Sequence, residues 1–465
     1  MADGIANGAH GCLAAEQYVR PEDPRIQKRL EWFADQKLAL MMHWGIYSQL
    51  GMVESWALDD ADAEWSRDCV DWDTDAKTLK RDYRGLHRSF NPIRFEPDKW
   101  ATAAADGGFR YLIFTTKHHD GFCLWDTGQT DYKVTSAACP FSANKRADVV
   151  SHVFESFRRR RMGIAAYFSK ADWDVPSYWA KGQPKGYFTS RGPSYDPAEQ
   201  PEMWERFVRF THDQVMELVT GYGKIDILWF DAGWVCRENG QDIRIEELVA
   251  AARRVQPWLL SADRTCGGEC ENYVTPEQSV PAAPLFVPWE SCVSMGAGFA
   301  YTYDDDYKPT ATLLRLLIDI VAKGGNLALN VAPQPDGRLP RPALRRMAEM
   351  GAWLGRYGDA IYGTRVCPPY VTDGFAFTQK AAEGSVFVFV LKEARRGERL
   401  LIPYTEKQVV AVTDMTTGKA VPFGREKEGV TVTAGAPAPR AEYGGEHIAE
   451  VYRLSVAEWN QISAT

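Results

Sequence analysis

Two adjacent histidines, His118 and His119, stand in the run TTKHHDGFCLW at 115–125, between Lys117 and Asp120 and just after the apolar YLIF. The chain has only eight histidines in 465 residues, so the pair calls for a chemical reason. Imidazoles bind metals, relay protons or hydrogen-bond polar ligands. Neighbouring residues on an extended strand point to opposite sides, so the pair chelates poorly unless the chain has already turned. No Glu-x-x-His or cysteine cluster supplies further ligands, and no metal is expected. A structural histidine pair is one alternative. The preferred reading is a set of donors and acceptors for a ligand's hydroxyl groups.

Asp231 is the sharpest single residue. It follows ILWF and precedes AGW, and a carboxyl group at the end of so apolar a run is costly unless paired or used. As a catalytic carboxylate it needs a partner, because glycoside hydrolysis uses two carboxyl groups: one attacks or activates water, the other protonates the leaving oxygen. Glu277, in YVTPEQ, and Glu290, in PWESC, are the two candidates, Glu277 on a loop and Glu290 at a strand end. Arg264 offers a fixed cation that keeps a nearby carboxylate ionised, or a donor to hydroxyl groups.

These residues need a frame. Apolar runs at 38–45, 111–117, 163–169, 225–231, 258–264, 285–290 and 326–332 have the length and continuity of strands buried on both faces. Helical spacing fills the stretches 97–108, 147–161, 201–223, 244–257 and 310–325. Alternating strands and helices predict an α/β fold with a parallel sheet, and their number over about 330 residues fits a (β/α)8-type, TIM-like barrel better than an open sheet. Each run ends in a polar group: His43, then Lys117 to Asp120, Tyr167 and Ser169, Asp231, Arg264, Glu290 and Asn330. In such a barrel the active site gathers at the C-terminal strand ends. After about residue 365 short β-rich segments separated by Gly, Pro and charged turns predict a C-terminal antiparallel β-sandwich. The expected division is an N-terminal segment 1–22, a barrel 23–365 and a sandwich 366–465. APAPRAEYGGEH at 436–447 reads as a Pro/Gly loop within the last. KGGNLALNVAPQPDG lacks phosphate-loop spacing and reads as a helix end followed by a strand.

The net charge of −8 argues against nucleic acid or an anionic membrane as a partner. No 18-residue apolar run predicts a membrane span. The first residues lack a basic head and an apolar segment, so no signal peptide is expected. Nine scattered cysteines without a CxxC pair suit reduced thiols in the cytoplasm, with export left open. Sixteen tryptophans, several in polar segments, suit the apolar faces of sugars.

In order along 30–365, MMHWGIYS, ESW, TTKHHDGFCLW, GIAAYFSKADW, DILWFDAGW, ADR, ENYVTPEQ, PWESC, NLALNVAPQPDG and GAWLGRYGDAIYGTR resemble the α-L-fucosidases of glycoside hydrolase family 29. The resemblance implies a barrel-like catalytic domain followed by a β-sandwich. It implies a retaining hydrolase of terminal α-L-fucosyl residues that needs no cofactor or metal. Asp231 matches the nucleophile; His43, His118 and His119 match residues that bond fucose hydroxyls. Trp229, Arg264, Trp56 and Glu54 match the pocket, and Tyr167 matches more loosely. Glu277 and Glu290 each match a position used for the acid/base. The implied partner is a fucosylated oligosaccharide or glycoconjugate, with a homo-oligomer left open. Two departures stand out: Phe299-Ala300-Tyr301 where the family often has Trp-Gly-Tyr, and Ala39 where it often has Gly. They leave linkage preference open. Alternatives are an exo-glycosidase for another 6-deoxy or galacto-configured sugar, a glycan-binding relative without catalysis, and a metal-dependent barrel hydrolase.

Overall fold

The computed structural model describes residues 15–59, 65–67, 76–179, 190–435 and 439–457. Residues 1–14 of the N-terminal segment and 436–438 of the Pro/Gly loop lie outside them.

Seven strands form one parallel sheet: β1 (Leu38–Met42), β2 (Tyr111–Lys117), β3 (Gly163–Ser169), β4 (Ile227–Asp231), β5 (Leu260–Asp263), β6 (Glu290–Ser294) and β7 (Asn326–Asn330). Their order is β5-β4-β3-β2-β1-β7-β6, every pairing parallel. The sheet curls, and its open side between β5 and β6 is filled by irregular chain. Asn272 N–H donates to Ser261 O at 2.9 Å on one side, and Glu290 N–H to Val274 O at 2.9 Å on the other. The expected eight-fold barrel is thus seven strands and one irregular stave.

Helices α1 (Pro24–Gln36), α2 (Ala76–Gly85), α3 (Pro97–Asp106), α4 (Val149–Arg159), α5 (Pro201–Gly221), α6 (Ile245–Val255), α7 (Thr310–Ala322) and α8 (Arg341–Tyr357) accompany the sheet. Alternation explains the unbroken apolar strands. Leu38, Leu40 and Met42 pack outward with the helices, while Ala39, Met41, Tyr111, Ile113, Ala165, Tyr167, Ile227 and Trp229 form the barrel interior. Ile26, Leu30 and Phe33 of α1 join that interior cluster, and Phe33 stacks on Tyr273 of the irregular stave.

From Arg365 the architecture is antiparallel. β8 (Arg365–Thr372), β9 (Phe375–Lys380), β10 (Ser385–Val390), β12 (Gln408–Asp414), β13 (Lys419–Ala420) and β16 (Glu450–Ala457) form one sheet; β11 (Arg399–Ile402), β14 (Phe423–Glu426) and β15 (Gly429–Thr433) form a second. β10 shows how they pack. Val386, Val388 and Val390 enter the core between these two sheets, while Phe387 and Phe389 join the core of the barrel's helices. Both faces of SVFVFV are covered, so it reads as a continuous apolar run.

Candidate active site

Asp231 ends β4, in register with Ser169 at the end of β3. Its Oδ1 accepts from Arg264 Nη1 at 2.8 Å, and its Oδ2 accepts from the Tyr167 hydroxyl. His119 Nε2 lies 3.8 Å from Oδ2. Burial alone would raise this carboxyl group's pKa. The Arg264 guanidinium, with His119, the Tyr167 hydroxyl and His118, outweighs it and holds Asp231 well below the usual carboxylate range. The backbone fixes the arrangement: Ala232 is left-handed at φ 69°, and a Cβ on Gly233 would meet Thr265 Oγ1 at 1.9 Å and Arg264 O at 2.9 Å. Only glycine lets the Asp231 loop press so closely on the Arg264 loop.

Arg264 joins two carboxylates. While Nη1 holds Asp231, Nη2 donates to Glu277 Oε2 at 2.6 Å, and Nε to Thr275 Oγ1 at 3.2 Å. Its guanidinium lies 4.5 Å over the Trp229 ring. Glu277 comes from the irregular stave, bridged to Cys292 of β6, with 15% of its side chain exposed.

Glu290 is elsewhere. The apolar stretch before it leads into the strand rather than forming it, so Glu290 opens β6 at the N-terminal end of the barrel, opposite Asn326 of β7. It is fully buried; Trp229 Nε1 donates to its Oε1 at 3.1 Å and the Tyr111 hydroxyl to its Oε2. Burial raises its pKa to about 7, against these hydrogen bonds, the Arg264 charge and Tyr273. The expected strand-end location on the catalytic face is therefore corrected: Glu290 faces the barrel floor.

The histidines explain themselves through a bulge. Register shifts between Thr115 and Lys117, so Lys117 pairs with outward-facing Phe168. Lys117 accordingly turns outward, to Asp172 at 2.9 Å and Gln214 at 3.1 Å. His118 is then turned inward, and the chain turns at once, bringing the His119 ring to 4.1 Å from it. Gly121, at φ 81°, completes that turn where a Cβ would strike Asp172 Oδ1 at 2.5 Å. The expectation of opposed rings fails here, because the pair is no longer on extended chain.

Each ring is braced by a polar side chain: Ser169 and Asn330 are among the expected strand-end groups, whereas Ser55 is not. His119 Nδ1 lies 2.6 Å from Ser169 Oγ, whose own proton goes to Ala171 O at 2.7 Å, so Nδ1 is the donor. His118 Nδ1 lies 2.5 Å from Ser55 Oγ, which also accepts from Asp120 N–H at 2.9 Å. His43 continues the inward parity of Ala39 and Met41. Its Nδ1 lies 2.9 Å from Asn330 Oδ1, and Asn330 Nδ2 donates to Phe299 O at 2.7 Å. That orientation makes His43 Nδ1 the donor and Nε2 the acceptor. Burial lowers its pKa, keeping it neutral.

Tyr167 stacks on Trp229 at 5.2 Å and on His118 at 5.8 Å. Trp56 packs edge-on to His119 at 5.1 Å, with Trp173 and Trp234 beyond it. Glu54 is buried and bonded by Trp56 and the Ala300 N–H. Among the described residues its Oε1 has no hydrogen-bond partner. Burial first, then Glu277 and Asp231, raise its pKa to about 8. The structure thus brings together every expected site residue except Glu290, whose hydrogen bond to this group is the one from Trp229.

His118, His119 and Asp231 each bring a ligand atom within 4.8 Å of one another, a spacing compatible with a metal ion. The fit is poor: Arg264 already sits against Asp231, and its charge would repel a dication there. What the arrangement offers is an ionised carboxylate, a second carboxyl group on the same guanidinium, and polar rings beside an aromatic wall.

A family model described as Alpha-L-fucosidase matches residues 9–359. The Alpha-L-fucosidase of Dictyostelium discoideum is 24% identical over 441 residues, 88% of this chain and 89% of that protein. Among solved structures, Alpha-L-fucosidase isoenzyme 1 from Paenibacillus thiaminolyticus is 26% identical with a TM-score of 0.76, covering 93% of this chain and all of that one (100%). The Thermotoga maritima alpha-fucosidase in complex with fucose is 26% identical with a TM-score of 0.69, covering 95% and 98%. The chain belongs to the alpha-L-fucosidase family, glycoside hydrolase family 29, and is a glycoside hydrolase of that family.

Proposed function

We propose that this site hydrolyses terminal α-L-fucosides with retention, Asp231 acting as nucleophile and Glu277 as acid/base. The observation that carries the assignment is the Arg264 fork, whose two terminal nitrogens bond Asp231 and Glu277. Retaining pairs stand about 5–5.5 Å apart, and two carboxylates sharing one guanidinium are suited to that spacing.

In the first step an Asp231 oxygen bonds the anomeric carbon as the glycosidic bond breaks. Glu277 gives its proton to the leaving oxygen from Oε1, the oxygen not bonded to Arg264. In the second step Glu277 takes a proton from water, the water oxygen bonds the anomeric carbon, and Asp231 departs as carboxylate. His43, His118, His119 and Glu54 hold the sugar hydroxyls, and Trp56 and Tyr167 wall the ring. Glu290 holds Trp229 in place beneath. The substrate is a fucosylated oligosaccharide or glycoconjugate.

The test is hydrolysis of an aryl α-L-fucoside by wild type and Asp231→Asn. We expect a loss of about 10⁴-fold, roughly 5 kcal/mol of barrier, and partial recovery of Asp231→Gly by azide. Undiminished turnover in Asp231→Asn would sink the assignment.

A further inference from the structure

A cavity of about 900 Å³ opens beside the fucose site. Three loops form it: the approach to α3, the connection from β6 to α7, and the connection from β7 to α8. All three lie at the C-terminal strand ends, the face that carries Asp231. The walls are firmly built. Trp100 Nε1 donates to Gly337 O at 3.0 Å, Arg94 N–H to Asp336 O at 2.9 Å, and Trp44 Nε1 to Gln334 O at 3.1 Å.

The cavity and the fucose pocket adjoin through neighbouring residues. Phe299 lies 5.1 Å from His43, and the Ala300 N–H bonds Glu54; the next residue, Tyr301, already lines the cavity. On the other side His43 precedes Trp44, which holds Gln334 of the cavity wall. The acid/base side leads the same way: Gln278, next to Glu277, donates from Nε2 to Ser294 Oγ at 3.1 Å, at the root of the loop that carries Tyr301 and Tyr303. A leaving group departs past the group that protonates it, so leaving-group sugars run toward this cavity.

Its chemistry is aromatic and cationic. Tyr303 is 61% exposed and held by a bond from its hydroxyl to Gln49 O at 2.9 Å, an aromatic platform ready for a sugar face. Lys99 is paired with Glu96 at 2.7 Å and Arg338 with Asp336 at 2.7 Å. Asp305, the remaining acid in the lining, accepts from Ala297 N–H at 2.7 Å. The Arg94 and Arg341 side chains make no hydrogen bond or ion pair with the described residues. Both arginines are exposed residues of the cavity lining, so their guanidinium groups are open to a ligand. Guanidinium forks match carboxylates and sulfates in a bidentate geometry.

We infer that this cavity binds the leaving-group portion of the substrate and selects a glycan with an acidic group there, a sugar carboxylate or sulfate ester. The inference rests on the α-L-fucosidase reading above. Its test compares kcat/KM for three fucosylated oligosaccharides identical except for the leaving-group sugar, which is neutral, sialylated or sulfated, with an aryl α-L-fucoside measured alongside. Wild type should favour at least one acidic form by about tenfold, through KM, with the preference falling as salt rises. The double substitution Arg94→Ala/Arg341→Ala should remove that preference and leave aryl fucoside turnover within twofold. Tyr303→Ala should weaken all three oligosaccharides alike. The acidic form that loses most in the double variant identifies carboxylate or sulfate as the ligand. Aryl fucoside turnover with equal use of neutral and acidic glycans would overturn the cavity's role alone. Absence of aryl fucoside turnover in wild type would overturn the function on which it rests.

Discussion

Asp231 closes β4 and Glu290 opens β6, so these two carboxyl groups lie at opposite ends of one barrel interior. The Trp229 indole stands between them, its Nε1 bonded to Glu290 and its face beneath Arg264, which bonds Asp231. At the upper end a guanidinium outweighs burial and the carboxyl group is ionised. At the lower end the groups that bond Glu290 are neutral donors, Tyr111 and Trp229 first among them, the Arg264 charge acts on it less than they do, and burial raises it to about 7. Burial is common to both; the adjacent cation makes the difference. A carboxylate meant to attack carbon needs its charge, whereas one that anchors an indole and a phenol works as a hydrogen-bonding post.

After loss of Asp231 itself, removing the second upper carboxylate should have the largest effect. Glu277→Gln should lower kcat/KM about 10³-fold on fucosides with poor leaving groups and little on a dinitrophenyl fucoside, because general acid catalysis contributes about 10²–10⁴-fold. A loss independent of the leaving group would break the upper-end assignment. Arg264→Gln, which removes the cation, should follow, at about 10²-fold. Loss of the fork removes what depresses Asp231, so the acid limb of the kcat/KM profile should move to higher pH; an unmoved limb would show that another group keeps Asp231 ionised.

Glu54 tests the middle ground between the two ends. Held at about 8, it is neutral at physiological pH and becomes anionic beside Asp231 and Glu277 only above that. KM for an aryl fucoside should therefore rise as pH passes about 8, and Glu54→Gln should abolish that rise with a several-fold change in KM at pH 7. The smallest effect on rate belongs to Glu290→Gln, within about threefold. Its signature is stability. The fold keeps Glu290 protonated to about 7, whereas an unfolded glutamate releases its proton near about 4.3. Its contribution is thus full below about pH 4 and is lost as pH rises through about 7. Melting temperatures across pH 4–8 should decline less in Glu290→Gln than in wild type. A rate loss comparable with that of Glu277→Gln would erase the distinction between the ends.

The strands were legible where both faces are apolar. GIAAYFS is β3 as read, and Asp231 ends its strand as the run ILWFD implied. β6 was misread for a physical reason. The apolar LFVPW before Glu290 is largely loop, with Phe286 71% exposed at φ 56°, while the strand itself is the more polar ESCVS. Apolar content marks the wrong stretch and so points Glu290 to the wrong end of the barrel. The histidine pair was legible as a site but not as a geometry, because nothing in TTKHHDGF announces a bulge that turns Lys117 out. The roles of Ser55 and Ser169 were invisible for a similar reason: a hydroxyl group that fixes a tautomer lies far from its histidine in sequence. The cavity beside the site was equally hidden, since three separate loops contribute to it.

The most direct test of the central claim is covalent trapping. Wild type treated with a 2-deoxy-2-fluoro-fucosyl fluoride, then digested and sequenced by mass spectrometry, should carry one fluorofucosyl group on the Asp231 carboxylate. A label on Glu277 or Glu290, or turnover with inverted product and no label, would contradict it.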